Sequence, residues 1–94
     1  MPAEVKEIQV QLVTAPGCHF CDEARRTLQV LGGRFPLTIE FVPLMSETGR
    51  DLVARHRVPF PPILLIEGAF FGFGRLSQRR LEQRLIQLMT VKAS

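Results

Sequence analysis

Cys18 and Cys21 are the two cysteines of this 94-residue chain, and only His19 and Phe20 separate them. Thiols one helical turn apart can close a disulfide with each other and reopen it. What such a pair does depends on its setting. Thr14-Ala15-Pro16-Gly17, just upstream, has the composition of a turn, and Asp22 to Leu31, just downstream, has that of an amphipathic helix. The first sulfur therefore falls at a helix mouth, where backbone N–H groups lack intrahelical partners and favour negative charge. A thiol there loses its proton more readily, and the thiolate is the reactive form. Strand, Gly-containing turn, C-x-x-C and helix together form the context of a thiol–disulfide site.

The same sulfurs could instead hold a metal. Zinc takes four ligands in structural sites. Beyond the two cysteines only His19 and His56 remain, with no second cysteine pair. A zinc site would then have to be shared between two copies, so no metal is expected within one chain. His56 reads as a surface or packing residue late in a short helix, where a cation suits the dipole.

The elements that must position the pair follow from periodicity. Ile8, Val10 and Leu12 alternate with Gln9 and Gln11, which predicts a strand over Ile8 to Val13. Cys21, Ala24, Leu28 and Leu31 recur every three or four residues, which predicts a helix with one apolar stripe. Gly32-Gly33 is expected to stop it through a left-handed cap. Leu37, Ile39 and Phe41 alternate with Thr38 and Glu40 as a second strand. Thr48-x-x-Asp51 resembles a capping box ahead of a short helix from Asp51 to His56. Ile63-Leu64-Leu65-Ile66 is a continuous apolar run, as in a strand covered on both faces. Glu67-Gly68 turns the chain into a last strand, Ala69 to Phe73. Ser77 can cap a final helix with Leu81, Leu85 and Leu88 inward. The order β-α-β-α-β-β-α implies an α/β domain spanning 1–94. Its first two strands are parallel through a right-handed crossover, its last two form a hairpin, and its helices cover both faces of a four-stranded mixed sheet.

Composition excludes several function classes. The net charge is +3, a mild excess that compels no nucleic-acid partner. Arg75, Arg79, Arg80, Arg84 and Lys92 read as a solvated outer face, since Glu82 and glutamines interrupt them. Phe70, Phe71 and Phe73 fit core packing and an apolar rim better than a base-stacking platform. The stretch from Val58 to Gly74 is too short and too broken by Pro59, Pro61, Pro62 and Glu67 to span a bilayer, so no membrane is expected. Residues 1–7 mix charges without an apolar run and do not read as a secretory signal. A cytoplasmic setting follows as the expectation, with thiols kept reduced and used in turnover.

From Ile8 to Leu88 the chain resembles the thioredoxin superfamily, and within it the glutaredoxin-like proteins. Three features carry the resemblance: Thr14-Ala15-Pro16-Gly17-Cys18-His19-Phe20-Cys21, Val58-Pro59-Phe60-Pro61-Pro62 before a strand, and Gly72-Phe73-Gly74 before the last helix. It implies the thioredoxin fold and a thiol–disulfide oxidoreductase or electron carrier, with Cys18 attacking and Cys21 resolving. It further implies a cis proline facing the disulfide, at Pro61 or Pro62. The residue before that proline pairs its backbone with substrate in this family. Phe60 has an N–H to offer and Pro61 has none, which favours a cis Phe60-Pro61 bond and keeps Pro62 as the alternative. Phe60, Pro61, Pro62, Gly74, Arg75 and Ser77 are thus the candidate substrate-binding residues. The N–H groups at the last helix start, with the Ser77 hydroxyl and Arg75, suit a carboxylate. His19, as a cation, would stabilise the Cys18 thiolate. Phe20 holds an aromatic position familiar from glutaredoxins.

Departures from the family pattern are equally readable. Leu12 and Gly17 stand where thioredoxins carry a buried acid and a tryptophan, and the chain has no Trp. Ala15 stands where many glutaredoxins carry a basic residue that grips glutathione. The resemblance therefore implies disulfide-containing protein or glutathione as partner, and glutathione or a reductase for regeneration. Glutathione enters as a co-substrate, and no cofactor is held tightly. Two other classes stay open: an iron–sulfur or zinc carrier that uses the same thiolates in a dimer, and a redox-inert interaction module of this fold.

Overall fold

The computed structural model describes residues 7–93, with side chains through Thr90. Lys92 of the basic stripe thus has its side chain outside the described residues. The elements are β1 (Ile8–Thr14), α1 (His19–Gly32), β2 (Leu37–Pro43), α2 (Glu47–His56), β3 (Ile63–Ile66), β4 (Ala69–Phe73) and α3 (Gln78–Ala93). The order matches the one read from periodicity.

The strands form one mixed sheet in the order β2-β1-β3-β4. β1 and β2 run parallel, with Ile8 opposite Leu37 and Val13 opposite Val42. β1 and β3 are antiparallel, as are β3 and β4. Glu67 and Gly68 both take positive φ, 53° and 80°. That is the geometry a two-residue hairpin turn demands.

Alternation along the strands divides the core in two. Ile8, Val10 and Leu12 of β1 join Leu64 and Ile66 of β3 beneath Ala24, Leu28 and Leu31 of α1 and Leu81 and Leu85 of α3. Val13, Val42, Ile63 and Leu65 point the other way, against Leu52 of α2 and Val58 beyond it. Helices therefore cover both faces, and β3 is buried along its whole length. Full burial of an aliphatic side chain is worth about 1.5–3 kcal/mol. These two layers hold the helix starts and the strand ends in fixed register.

Two boundaries differ from the sequence reading. α2 starts at Glu47, and its cap is Ser46 instead of Thr48. Ser46 Oγ accepts from the Gly49 N–H at 3.0 Å and donates to the Pro43 carbonyl at 2.7 Å. Gly49 is buried so closely that a Cβ there would lie 2.2 Å from the Pro43 carbonyl oxygen. That close approach of the first turn to the end of β2 decides where the helix begins. α1 does not end in a left-handed glycine, since Gly33 has φ −79°. The chain leaves through N–H bonds from Gly33 to Val30 and from Arg34 and Phe35 to Leu31. The left-handed cap belongs to α2, at Arg57, with φ 53°.

Candidate functional site

The site forms at the C-terminal end of β1. Gly17 adopts φ 69°, a conformation that glycine enters without a Cβ clash. This turns the chain so that Cys18 becomes the N-cap of α1 with extended backbone. Its sulfur takes the role that a serine or aspartate oxygen fills elsewhere. The Cys21 N–H donates to Cys18 Sγ at 3.1 Å. The two cysteines are joined as a disulfide with Cα atoms 5.1 Å apart, inside the usual range for such bonds. Cys18 is half-buried, whereas Cys21 is 1% exposed in the α1 stripe. One sulfur of the pair can therefore be reached from solvent, and the other cannot.

The loop after α2 closes over this pair. The Pro61 carbonyl oxygen lies 3.9 Å from Cys18 Sγ, placed to accept from the thiol of the reduced protein. The cis bond is Pro61–Pro62, which corrects the expectation of a cis Phe60–Pro61 bond. That expectation asked for an N–H on the residue before the cis bond, to pair with a substrate backbone. That residue is Pro61, which offers only its carbonyl. Pro62 is buried, and its carbonyl accepts from the Gly74 N–H at 2.8 Å. This bond ties the end of β4 to the loop. Gly74 has φ 67°, and a Cβ there would lie 2.8 Å from Phe60 Cε1. Phe60 stands over Gly74 and meets Phe73 edge-on, with ring centroids 5.4 Å apart.

Among the sequence-derived candidates, Cys18, Cys21, Phe60, Pro61, Pro62 and Gly74 thus come together. Arg75 and Ser77 follow Gly74 on the exposed surface and make no hydrogen bond to that cluster. The Ser77 hydroxyl accepts from the Arg80 N–H at 3.2 Å and caps α3. His19 faces solvent, with its Nε2 3.0 Å from the Glu23 carboxylate and its side chain 78% exposed. Phe20 is half-buried, its ring centroid 6.1 Å from that of His19. Phe73, expected as packing or rim, joins the cluster through its contact with Phe60. The register shift in the β3–β4 ladder breaks the alternation along β4, so no local pattern marks it.

Leu12 is fully buried beneath α1, and no polar or charged side chain is buried among the described residues. No proton acceptor of the protein's own therefore lies in the interior beside Cys21. Among the described residues, no group of three His, Cys, Asp or Glu side chains is placed to hold a metal ion. No helix there is long and apolar enough to cross a membrane. Arg80 and Arg84 lie over the Phe71 ring, each 5.6 Å from its centroid. That part of the basic stripe covers an aromatic that packs on the core.

No protein-family model and no curated protein matches the sequence. Solved structures do match. An uncharacterised thioredoxin-like protein from Clostridium perfringens superposes with a TM-score of 0.69 at 17% identity, over 92% of this chain and 74% of that one. Thioredoxin O2 from Arabidopsis thaliana, in the oxidised state, gives 0.65 at 20% identity, over 88% and 76%. The chain has the thioredoxin fold. Thioredoxin from Trypanosoma brucei brucei gives 0.63 at 21% identity, over 89% and 76%. Within the thioredoxin fold, the closed Cys18–Cys21 pair sits at the turn from β1 to α1.

Proposed function

We propose that the chain is a thiol–disulfide oxidoreductase that passes two electrons to a disulfide through Cys18 and Cys21. The asymmetry of the two sulfurs carries this reading. Cys18 is reachable and receives an N–H bond that stabilises its thiolate, while Cys21 is buried one turn away.

In the reduced protein the Cys18 thiolate attacks one sulfur of the partner's disulfide in line. A bond forms between Cys18 Sγ and that sulfur, and the partner's own S–S bond breaks. The departing sulfur leaves as a thiolate and can take the Cys21 thiol proton, because the interior offers no other acceptor. Cys21 then attacks Cys18 Sγ and closes the disulfide seen here. The second partner sulfur leaves as a thiolate and is protonated by solvent. Two electrons have moved to the partner. Two glutathione thiols, or one reductase dithiol, return them by the reverse chemistry at Cys18. The Phe60 and Phe73 surface, with Gly74 beneath Phe60, and the Pro61 carbonyl receive the partner beside the sulfur. Arg75 and the start of α3 are the part suited to a carboxylate such as glutathione's. His19 stands beside Cys18 at the helix start with its ring turned to solvent and paired with Glu23, and only its protonated form would add positive charge near the thiolate.

The test is substitution. Wild-type protein should reduce insulin disulfides or a glutathione mixed disulfide with dithiothreitol or glutathione as electron source, and Cys18→Ser should not. Full activity in Cys18→Ser would overturn the assignment.

A further inference from the structure

On the far side of the active-site turn from Phe60 lies an open groove of about 330 Å³, lined by Thr14, Ala15, Pro16, Arg25, Phe41 and Pro43. We infer that this groove is a second docking subsite, and that it takes an apolar side chain with an adjoining carboxylate from an acidic segment of the protein partner. The inference rests on the redox reading above and names the kind of partner it serves.

Four observations carry it. First, the groove is continuous with the reactive turn. Pro16 is two residues from Cys18, and Arg25 lies seven residues along α1 from Cys18, about 10 Å at 1.5 Å per residue. A chain held by its cysteine at Cys18 reaches the groove within a few residues. Second, Phe41 is 47% exposed at this end of the sheet, an apolar surface that α1 meets only through Arg25. The groove has room for one or two side chains. Third, the Arg25 guanidinium lies over the Phe41 ring, 5.1 Å from its centroid. A ring face offers no hydrogen-bond acceptor of carboxylate strength, so the guanidinium donors can still take a carboxylate. Among the described residues no acid pairs with it: Glu23 is engaged by His19 and Glu82 by Arg34, and Asp22 makes no ion pair. Fourth, among the described residues β2 pairs only with β1 and no strand lies along its other edge. Pro43 at its end has no N–H to give, so the groove is read by side chains and not by an added strand.

The occupant is therefore an acidic protein segment. Glutathione offers no bulky apolar group to match Phe41 and Pro43.

The experiment uses disulfide-linked peptides of one sequence, with Phe-Glu, Ala-Glu or Phe-Lys placed one to four residues from the cysteine. Wild-type protein should reduce the best-placed Phe-Glu peptide about fivefold faster in kcat/KM than its Phe-Lys twin. Arg25→Glu should invert that preference, and Phe41→Ala should remove the advantage of Phe over Ala beside the acid. Reduction of all peptides at equal rates, unchanged by Arg25→Glu, overturns the subsite and leaves the redox reading standing. Failure of wild-type protein to reduce any of them overturns both.

Discussion

The N–H of Cys21 points across one helical turn at the sulfur of Cys18, 3.1 Å away. This gives the cap of α1 a reactive atom where most helices place an inert oxygen. The bond favours negative charge on Cys18 and does nothing comparable for Cys21. Iodoacetamide should therefore label Cys18 of the reduced protein at neutral pH long before Cys21, as mass spectrometry of the peptides would show. Equal labelling of both would contradict the asymmetry.

Removal of the resolving sulfur should stall the reaction half-way. Cys21→Ser is expected to accumulate a covalent adduct between Cys18 and its partner, visible as a mass increase that dithiothreitol reverses. Cys18→Ser should accumulate none.

His19 should matter little to the thiolate. It is 78% exposed and paired with Glu23, so solvent and the carboxylate both screen it. His19→Ala is expected to change the Cys18 alkylation rate by no more than about fivefold. A far larger drop would show that the imidazole acts directly on the sulfur.

Glycine substitutions separate strain from collision. Gly17 and Gly74 have nearly the same φ, 69° and 67°. A Cβ at Gly17 meets nothing within 4 Å, whereas one at Gly74 meets Phe60. Gly17→Ala should cost about 1–2 kcal/mol from the left-handed backbone alone. Gly74→Ala should cost more, and Phe60→Ala in the same chain should return the excess. Urea titrations of these three variants and of Phe60→Ala alone would measure both terms.

Core truncation gives a calibration for these values. Leu85 is fully buried where α3 meets the sheet. Leu85→Ala should lower stability by about 2–5 kcal/mol without altering the order of reactivity of the two sulfurs.

Most of the architecture was readable because single elements carried consistent signals. The alternation of Ile8, Val10 and Leu12, the unbroken Ile63–Ile66 run and the Ser77 cap each found its element in the structure. Where the reading slipped, a contact distant in sequence made the decision. Thr48-x-x-Asp51 looked like a cap, but Gly49 fits against the carbonyls of Pro43 and Leu44, and that fit moves the helix start to Ser46. The cis bond lies at Pro61–Pro62 although Pro61 has no N–H for a substrate backbone, and no local pattern distinguishes it from Phe60–Pro61. Phe41 alternates with Leu37 and Ile39 as if inward, yet the residue of α1 that faces it is Arg25, which lies over its ring beside a groove. No local pattern encodes which helix side chain meets an edge strand.

Burial of Cys21 at 1% has an outcome for damage as well as for turnover. Peroxide arriving from bulk water meets one sulfur only, so irreversible oxidation past the sulfenic stage falls on Cys18 while its partner is spared. A sulfenic acid on Cys18 sits beside a shielded thiol that can condense with it, expel water and restore the closed pair. On the proposed redox reading, the inner cysteine would thereby guard the chain against permanent inactivation.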